Sequence, residues 1–422
     1  MQARERFIGL EWLRFLLGCY VMIYHTVHVY PQREKIPFLS ELTSMGFFAT
    51  STFFVLSGFL LAHVYIRNGQ LREPARHFLA KRLFNLYPVH IVGLVASILV
   101  LSLMHWLAIA PDGQLASPRF VIYDSNDPSV SPDALHHYMS NSQLALNGLL
   151  QLLLLQAWNP YFLTFNAPLW SVSTLFFFYL LFPIVAPRLL ASRHPRRWLS
   201  LMALLYLLPP LWMIGHGLYG VPYTGMLQRG PLLRLPEFLA GILGYAIFRQ
   251  YREGTFPPLS FWRRNALLAF IGASFLVGTW LFTHGKPYWY FLLHNGLLLP
   301  AQVALVCLSA GIRDPASEQV KIWAGRLGAA SLSIFALHVP LFNLFRTLEQ
   351  LLRGDPLQCF SNWRACVDAA SQVQLSVIGY GVFLLATIAL CVLFQERFVV
   401  RLRLYLTERF LARRFTQSRS PA

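Results

Sequence analysis

Runs of about twenty apolar residues, separated by short polar segments, recur along the whole chain. They fall at 10–30, 44–64, 84–108, 169–187, 198–216, 231–248, 265–283, 289–311, 327–345 and 374–394. A helix rises about 1.5 Å per residue, so such runs match the roughly 30 Å hydrocarbon core of a bilayer. The pattern predicts an all-α polytopic membrane helix bundle with about ten transmembrane helices, forming a single domain over 1–422. A further apolar piece, 144–157, is short for a span and is expected to lie at the interface or to re-enter. The connection 109–143 is polar, with Asp112, Asp124, Asp127 and Asp133 among Pro111, Pro118, Pro128 and Pro132. It is expected to be an irregular extracytoplasmic loop.

Composition supports this reading. Hydrophobic residues make up 56% of the chain and charged residues 13%, with mean hydropathy +0.48, which excludes an ordinary soluble domain. A net charge of +17 would suggest nucleic acid in a soluble protein. Here, with a cytoplasmic N-terminus, most of the 35 Lys and Arg residues fall in the cytoplasmic segments 1–9, 65–83, 188–197, 249–264, 312–326 and 395–422. That is the positive-inside pattern, so lipid rather than nucleic acid is the expected neighbour, and both termini are expected in the cytoplasm. The stretch 395–422, with Arg397, Arg401, Arg403, Arg409, Arg413 and Arg414 among Leu and Phe, is expected to be a basic cytoplasmic tail along anionic headgroups. Arg4 and Arg6 ahead of the first run resemble the start of a signal peptide. The run is long, internally charged and without a small-residue cleavage site, so it is expected to be retained. Cys359 and Cys366 share an external loop in this topology and are candidates for a disulfide in an oxidising compartment.

The first run carries Glu11, Arg14 and His25. An ionisable side chain at bilayer depth costs on the order of 2.5 to 3.5 kcal/mol on insertion scales, which makes function the default reading. At about 100° per residue, the step from Arg14 to His25 ends roughly 20° past three whole turns, so both share a face, roughly 16 Å apart along the axis. Arg14 and Glu11 are three residues apart and can pair. Arg234 and Glu237 repeat that spacing near the start of the sixth run, where lining of a cavity and a packing ion pair are both open readings.

Several stretches, in order and over nearly the whole chain, resemble the acyltransferase-3 family of integral membrane acyltransferases. They are Leu10-Glu11-Trp12-Leu13-Arg14 followed by His25; Phe53-Phe54-Val55-Leu56-Ser57-Gly58-Phe59; Lys81-Arg82-Leu83-Phe84-Asn85-Leu86-Tyr87-Pro88; Pro168-Leu169-Trp170-Ser171-Val172-Ser173; Arg234-Leu235-Pro236-Glu237-Phe238; and Ser331-Leu332-Ser333 through Leu337-His338-Val339-Pro340. The resemblance implies about ten membrane helices and transfer of an acyl group, usually acetyl from acetyl-CoA, to hydroxyls of cell-surface sugars and other acceptors. The chain departs from the pattern twice. Asn85 stands where the family's Arg-x-x-Arg segment has its second arginine, and Leu175, Phe176 and Phe177 replace a polar stretch that usually contains Glu.

Acyl transfer from a thioester to a hydroxyl needs a base for the hydroxyl proton and donors for the developing oxyanion. His25, aligned with the family's histidine, suits the base; Arg14 and Glu11 are the other expected catalytic residues. Arg82, Lys81 and Arg76 form a basic cluster suited to the phosphates of CoA, although such loops are basic in any case. Trp170, Ser171, Ser173, Arg234 and Glu237 are the candidates for the acceptor side or the cavity wall. Ser57 and His338 are read first as packing residues, and His28, one turn beyond His25, is an auxiliary candidate. Gly-x-Ser-x-Gly, His-Glu-x-x-His, Gly-x-Gly-x-x-Gly and P-loop motifs are absent from the sequence, and no metal or bound cofactor is expected. The expected protein is a bacterial inner-membrane O-acyltransferase with acyl-CoA as co-substrate and a glycan or lipid-linked sugar as acceptor. The alternative is a proton-coupled solute transporter in which His25, Arg14 and Arg234 line the path; a membrane scaffold leaves those charges without a use.

Overall fold

The computed structural model describes residues 6–30, 32–107 and 117–412. The chain runs through α1 (Ile8–Thr26), α2 (Gly46–Tyr65), α3 (Ala75–Trp106), α4 (Asn141–Leu152), α5 (Trp170–Leu190), α6 (Pro195–Gly215), α7 (Tyr223–Arg229), α8 (Pro231–Arg252), α9 (Phe261–His284), α10 (Pro287–His294), α11 (Leu299–Ala310), α12 (Glu318–Arg353), α13 (Trp363–Ser371), α14 (Val377–Phe394) and α15 (Val400–Thr407). Among the described residues, nine helical segments, from Leu39–Tyr65 to Val377–Leu411, are long and apolar enough to cross a membrane. They answer to nine of the expected runs. The remaining one, 10–30, is α1, which is not among the nine because Glu11, Arg14 and His25 interrupt its apolar composition.

Helix α2 sits at the centre, mostly buried, and carries apolar residues on every side, as a helix enclosed by others does. It packs against α1, α8 and α11, while α1 lies along α12. Small residues allow the closest crossings. A Cβ on Gly58 of α2 would run into the Phe238 carbonyl of α8, and one on Gly241 of α8 would run into the Val55 carbonyl of α2. Backbones therefore touch where these helices cross, which is the usual way membrane helices gain packing without a hydrophobic driving force. Peripheral helices α6 and α9 expose Leu204, Leu208, Leu276 and Trp280, an apolar outer surface suited to lipid.

The described part of the 109–143 connection, 117–143, is more ordered than its prolines suggest. Phe120–Ile122 pairs antiparallel with His136–Tyr138, placing Val121 opposite His137. Ser140 and Gln143 then form a capping box that opens α4. The ribbon is tied to the bundle by Arg229, fully buried, whose Nε donates to the Asn159 carbonyl at 2.8 Å and whose Nη1 meets Asp124 at 2.6 Å. Burial raises the pKa of the Asp124 carboxyl, and the Arg229 guanidinium opposes that rise. Residues 108–116, with Pro111 and Asp112, lie outside the described residues. Helix α4 exposes Leu146, Leu149 and Leu152, in keeping with an interfacial piece.

The basic segment 395–422 is, over its described part, a continuation of the last span rather than a separate tail. Helix α14 passes into a wide π turn, Gln395–Val399, then α15, then a second π turn, Glu408–Ala412. A bidentate pair, Glu396 to Arg326 of α12 at 2.6 and 3.0 Å, and the contact of Phe84 with Phe410 hold this continuation against the bundle. Arg413 and Arg414 lie outside the described residues. Cys359 and Cys366 are joined in a disulfide, as their shared loop suggested.

Candidate active site

A cavity of about 510 Å3 enters the bundle at the end where α1 begins, α2 ends and α3 begins. Its wall carries four guanidinium groups, from Arg6, Arg14, Arg82 and Arg403, and among the described residues that line it Glu11 is the one carboxylate. Glu11 accepts from Arg6 at 3.1 Å and from Arg14 at 3.5 Å. The wall is cationic even after that pairing. Arg82 donates to the Tyr65 hydroxyl and lies over the Tyr65 ring, 4.8 Å from its centroid, which fixes the direction of its fork. Deeper in, Thr50, Ser57, Ser171 and Ser331 alternate with apolar residues such as Phe53 and Phe335, and the Thr50 and Ser171 hydroxyls donate to the Gly46 and Pro168 carbonyls.

The two ion-pair motifs read from the sequence part company. Arg234 and Glu237 do not line this cavity; they form a closed cluster behind it. Arg234 donates to Ser51 Oγ at 2.6 Å and to the His294 carbonyl at 2.5 Å, and pairs with Glu237 at 3.1 Å, while Tyr206 donates to Glu237 at 2.9 Å. Every member is buried. Trp170 does not line the cavity either; its ring packs edge-on against Phe54, which does, and lies 6.0 Å from the Arg234 guanidinium carbon. Ser173 is occupied by backbone, donating to the Leu154 carbonyl at 2.6 Å and accepting from Ala157 N at 3.3 Å. Of the donor-side candidates, Arg82 reaches the cavity. Lys81 pairs with Glu73 and Arg76 is exposed, so neither lines it.

His25 is not in the cavity wall described above. It stands deeper, partly exposed, with Nδ1 3.0 Å from His338 Nε2 and the two rings stacked 5.0 Å apart. His338 follows the cavity residue Phe335 by three positions, about one helical turn. His338 Nδ1 in turn lies 3.0 Å from the Ile334 carbonyl oxygen. A carbonyl can only accept, so in the neutral pair His338 Nδ1 carries the proton and its Nε2 accepts from His25 Nδ1–H. This hydrogen-bond network leaves the lone pair of His25 on Nε2.

A family model described as an acyltransferase domain, acyltransferase-3, matches residues 7–396, nearly the whole chain. The chain belongs to this family. It is also similar to Acyltransferase MdmB of Streptomyces mycarofaciens, with 31% identity over 182 residues. That alignment covers 42% of this chain and 37% of that protein. No solved structure matches the chain.

Within this acyltransferase-3 chain, the cavity gathers residues from distant motifs: Glu11 and Arg14, Ser57, Arg82, Ser171 and Ser331. Asn85, where the family pattern has arginine, lines the cavity too and accepts from Arg403 Nη1 at 3.3 Å. Leu175 is part of the apolar wall. Sequence reasoning missed Arg6, His63, Tyr65, Gln395 and Arg403 as lining residues, and it ranked His338 as packing. For His338 a signal existed, since a second histidine stood in a quoted motif. For Arg403 there was none, because its basic neighbours read equally well as a headgroup contact.

Proposed function

We propose that this chain is a membrane O-acyltransferase that moves an acyl group, acetyl as the family resemblance implies, from acyl-CoA to a hydroxyl of a cell-surface or exported glycan. The observation that carries the reading is the cationic cavity leading to within about one helical turn of a hydrogen-bonded histidine pair. Guanidinium groups suit the phosphates of CoA, and bidentate geometry favours arginine for that task. Arg14 and Glu11, paired within that cationic wall, would orient the donor. The basic end is assigned to the cytoplasm of a bacterial inner membrane, with both termini there, on the positive-inside distribution. The disulfide between Cys359 and Cys366 suits an oxidising compartment on the other side.

In this mechanism the acceptor hydroxyl approaches His25 from the end opposite the guanidinium groups. His25 Nε2 takes the hydroxyl proton as the oxygen attacks the thioester carbonyl carbon. The resulting oxyanion collapses, the carbon–sulfur bond breaks, and the CoA sulfur leaves with the proton returned by the imidazolium. The ester and CoA–SH are the products, and His25 is regenerated neutral. His338 holds the His25 tautomer throughout, in the way a third group orients the base of other acyl-transfer sites.

The test uses purified protein in detergent. CoA release from acetyl-CoA that depends on added glycan acceptor, and that His25→Ala removes while the protein stays folded and membrane-inserted, supports the enzyme. Gradient-driven solute uptake in liposomes with no CoA turnover would replace it by the transporter.

A further inference from the structure

We propose that Arg403, on the helix that continues the last span, is a donor-binding residue holding a phosphate ester of acyl-CoA; this rests on the donor reading above. Arg403 is half-buried in the cavity wall and spends one of its five N–H donors on the neutral Asn85 amide oxygen at 3.3 Å. Asn85 follows Arg82 by three positions on α3, so the two occupy one face, and Arg403 delivers from another helix the guanidinium that the α3 motif lacks. Four cations with one carboxylate repel each other, and an anion bound among them removes that cost. Phosphate oxygens match the guanidinium fork.

The position of Arg403 is built, not incidental. The π turn Gln395–Val399 shifts the helical register ahead of it, and single π turns within helices recur at functional sites. That turn is fastened at two points, by the Glu396 to Arg326 pair and by Ser333 Oγ donating to Gln395 Oε1 at 3.0 Å. Gln395 lines the cavity as well. The continuation is thus a wall of the cavity held in a fixed register.

Calorimetric titration of CoA into the full-length protein in detergent tests this, with Arg403→Gln, Arg403→Lys and the double variant Arg403→Gln/Asn85→Arg. Gln keeps a donor for Asn85 and loses the charge. A charged hydrogen bond lost on that change weakens CoA binding by about tenfold or more, Lys loses less, and arginine at 85 restores the affinity. An unchanged CoA affinity in folded Arg403→Gln overturns the role of Arg403 and leaves the donor reading intact. A loss that Lys shares in full and Arg at 85 does not repair assigns Arg403 to packing and overturns the role as well. No CoA binding by the unaltered protein overturns both readings together. Phosphatidylglycerol added to the micelles separates the second source of phosphate: displacement of CoA by that lipid, sensitive to Arg403→Gln, would reassign the cluster to a headgroup and overturn the proposal.

Discussion

His338 Nε2 lies 3.0 Å from His25 Nδ1, and its own Nδ1 faces the Ile334 carbonyl one turn earlier. A backbone acceptor therefore dictates the tautomer of an imidazole on another helix. His25→Ala should lower acyl transfer by about 10²–10⁴-fold, the span removed with a general base. His338→Leu should leave a smaller loss, because the base remains and its tautomer is no longer held. Steady-state rates measured against pH check this. On the proposed mechanism, activity of the unaltered protein should fall as pH drops, since a protonated imidazole cannot accept a proton, and His338→Leu should alter that profile. A His338→Leu variant with unchanged rate and profile would assign the residue to packing.

The Arg234 and Glu237 cluster should behave as a structural unit. Glu237→Ala leaves the Arg234 charge buried beside Ser51 and the His294 carbonyl, and breaking a buried pair costs about 3–5 kcal/mol. Replacing both by Met and Leu should recover much of that loss. Thermal unfolding in detergent reads the difference; a Glu237→Ala variant as stable as the unaltered protein but inactive would move the pair into the acceptor site.

At the crossing of α2 and α8, Gly241→Ala places a methyl group against the Val55 carbonyl, and backbone cannot yield as a flexible side chain does. Overpacking of this kind costs about 1–3 kcal/mol. The expected result is a lower melting temperature with the spans still inserted. Gly272, which has open space around it, is the control: Gly272→Ala should leave stability unchanged or slightly higher.

Thiol titration of the denatured, unreduced protein should count Cys19, Cys307 and Cys391, the three free cysteines, and reduction should add the Cys359 and Cys366 pair. A count that reduction does not change would remove the disulfide and, with it, one support for placing that loop in an oxidising compartment.

The membrane architecture was legible because twenty-residue apolar runs carry one strong signal, and lipid forces the backbone into helices. Glu11, Arg14 and Arg82 were legible as well, since charges within or beside such runs need a reason. The separation of Arg234 and Glu237 from the cavity was not, because spacing along one helix says that two residues pair and nothing about which neighbour encloses them. Nor was the order in 117–140: the ribbon depends on Arg229, which the chain places far downstream of Asp124. Arg403 shows the same limit. Its contact with Asn85 joins the third long helix to the last, and neither local pattern predicts it.

The wide turn at Gln395–Val399 makes chain length there as consequential as side-chain identity. Removing or adding one residue would rotate everything downstream by about 100°. Arg403 would then swing from the cavity toward the lipid or a neighbouring helix, although no residue inside the cavity had been altered. Insertions and deletions in this short stretch are thus a route by which a cavity with unaltered lining side chains would gain or lose its grip on a polyanionic ligand.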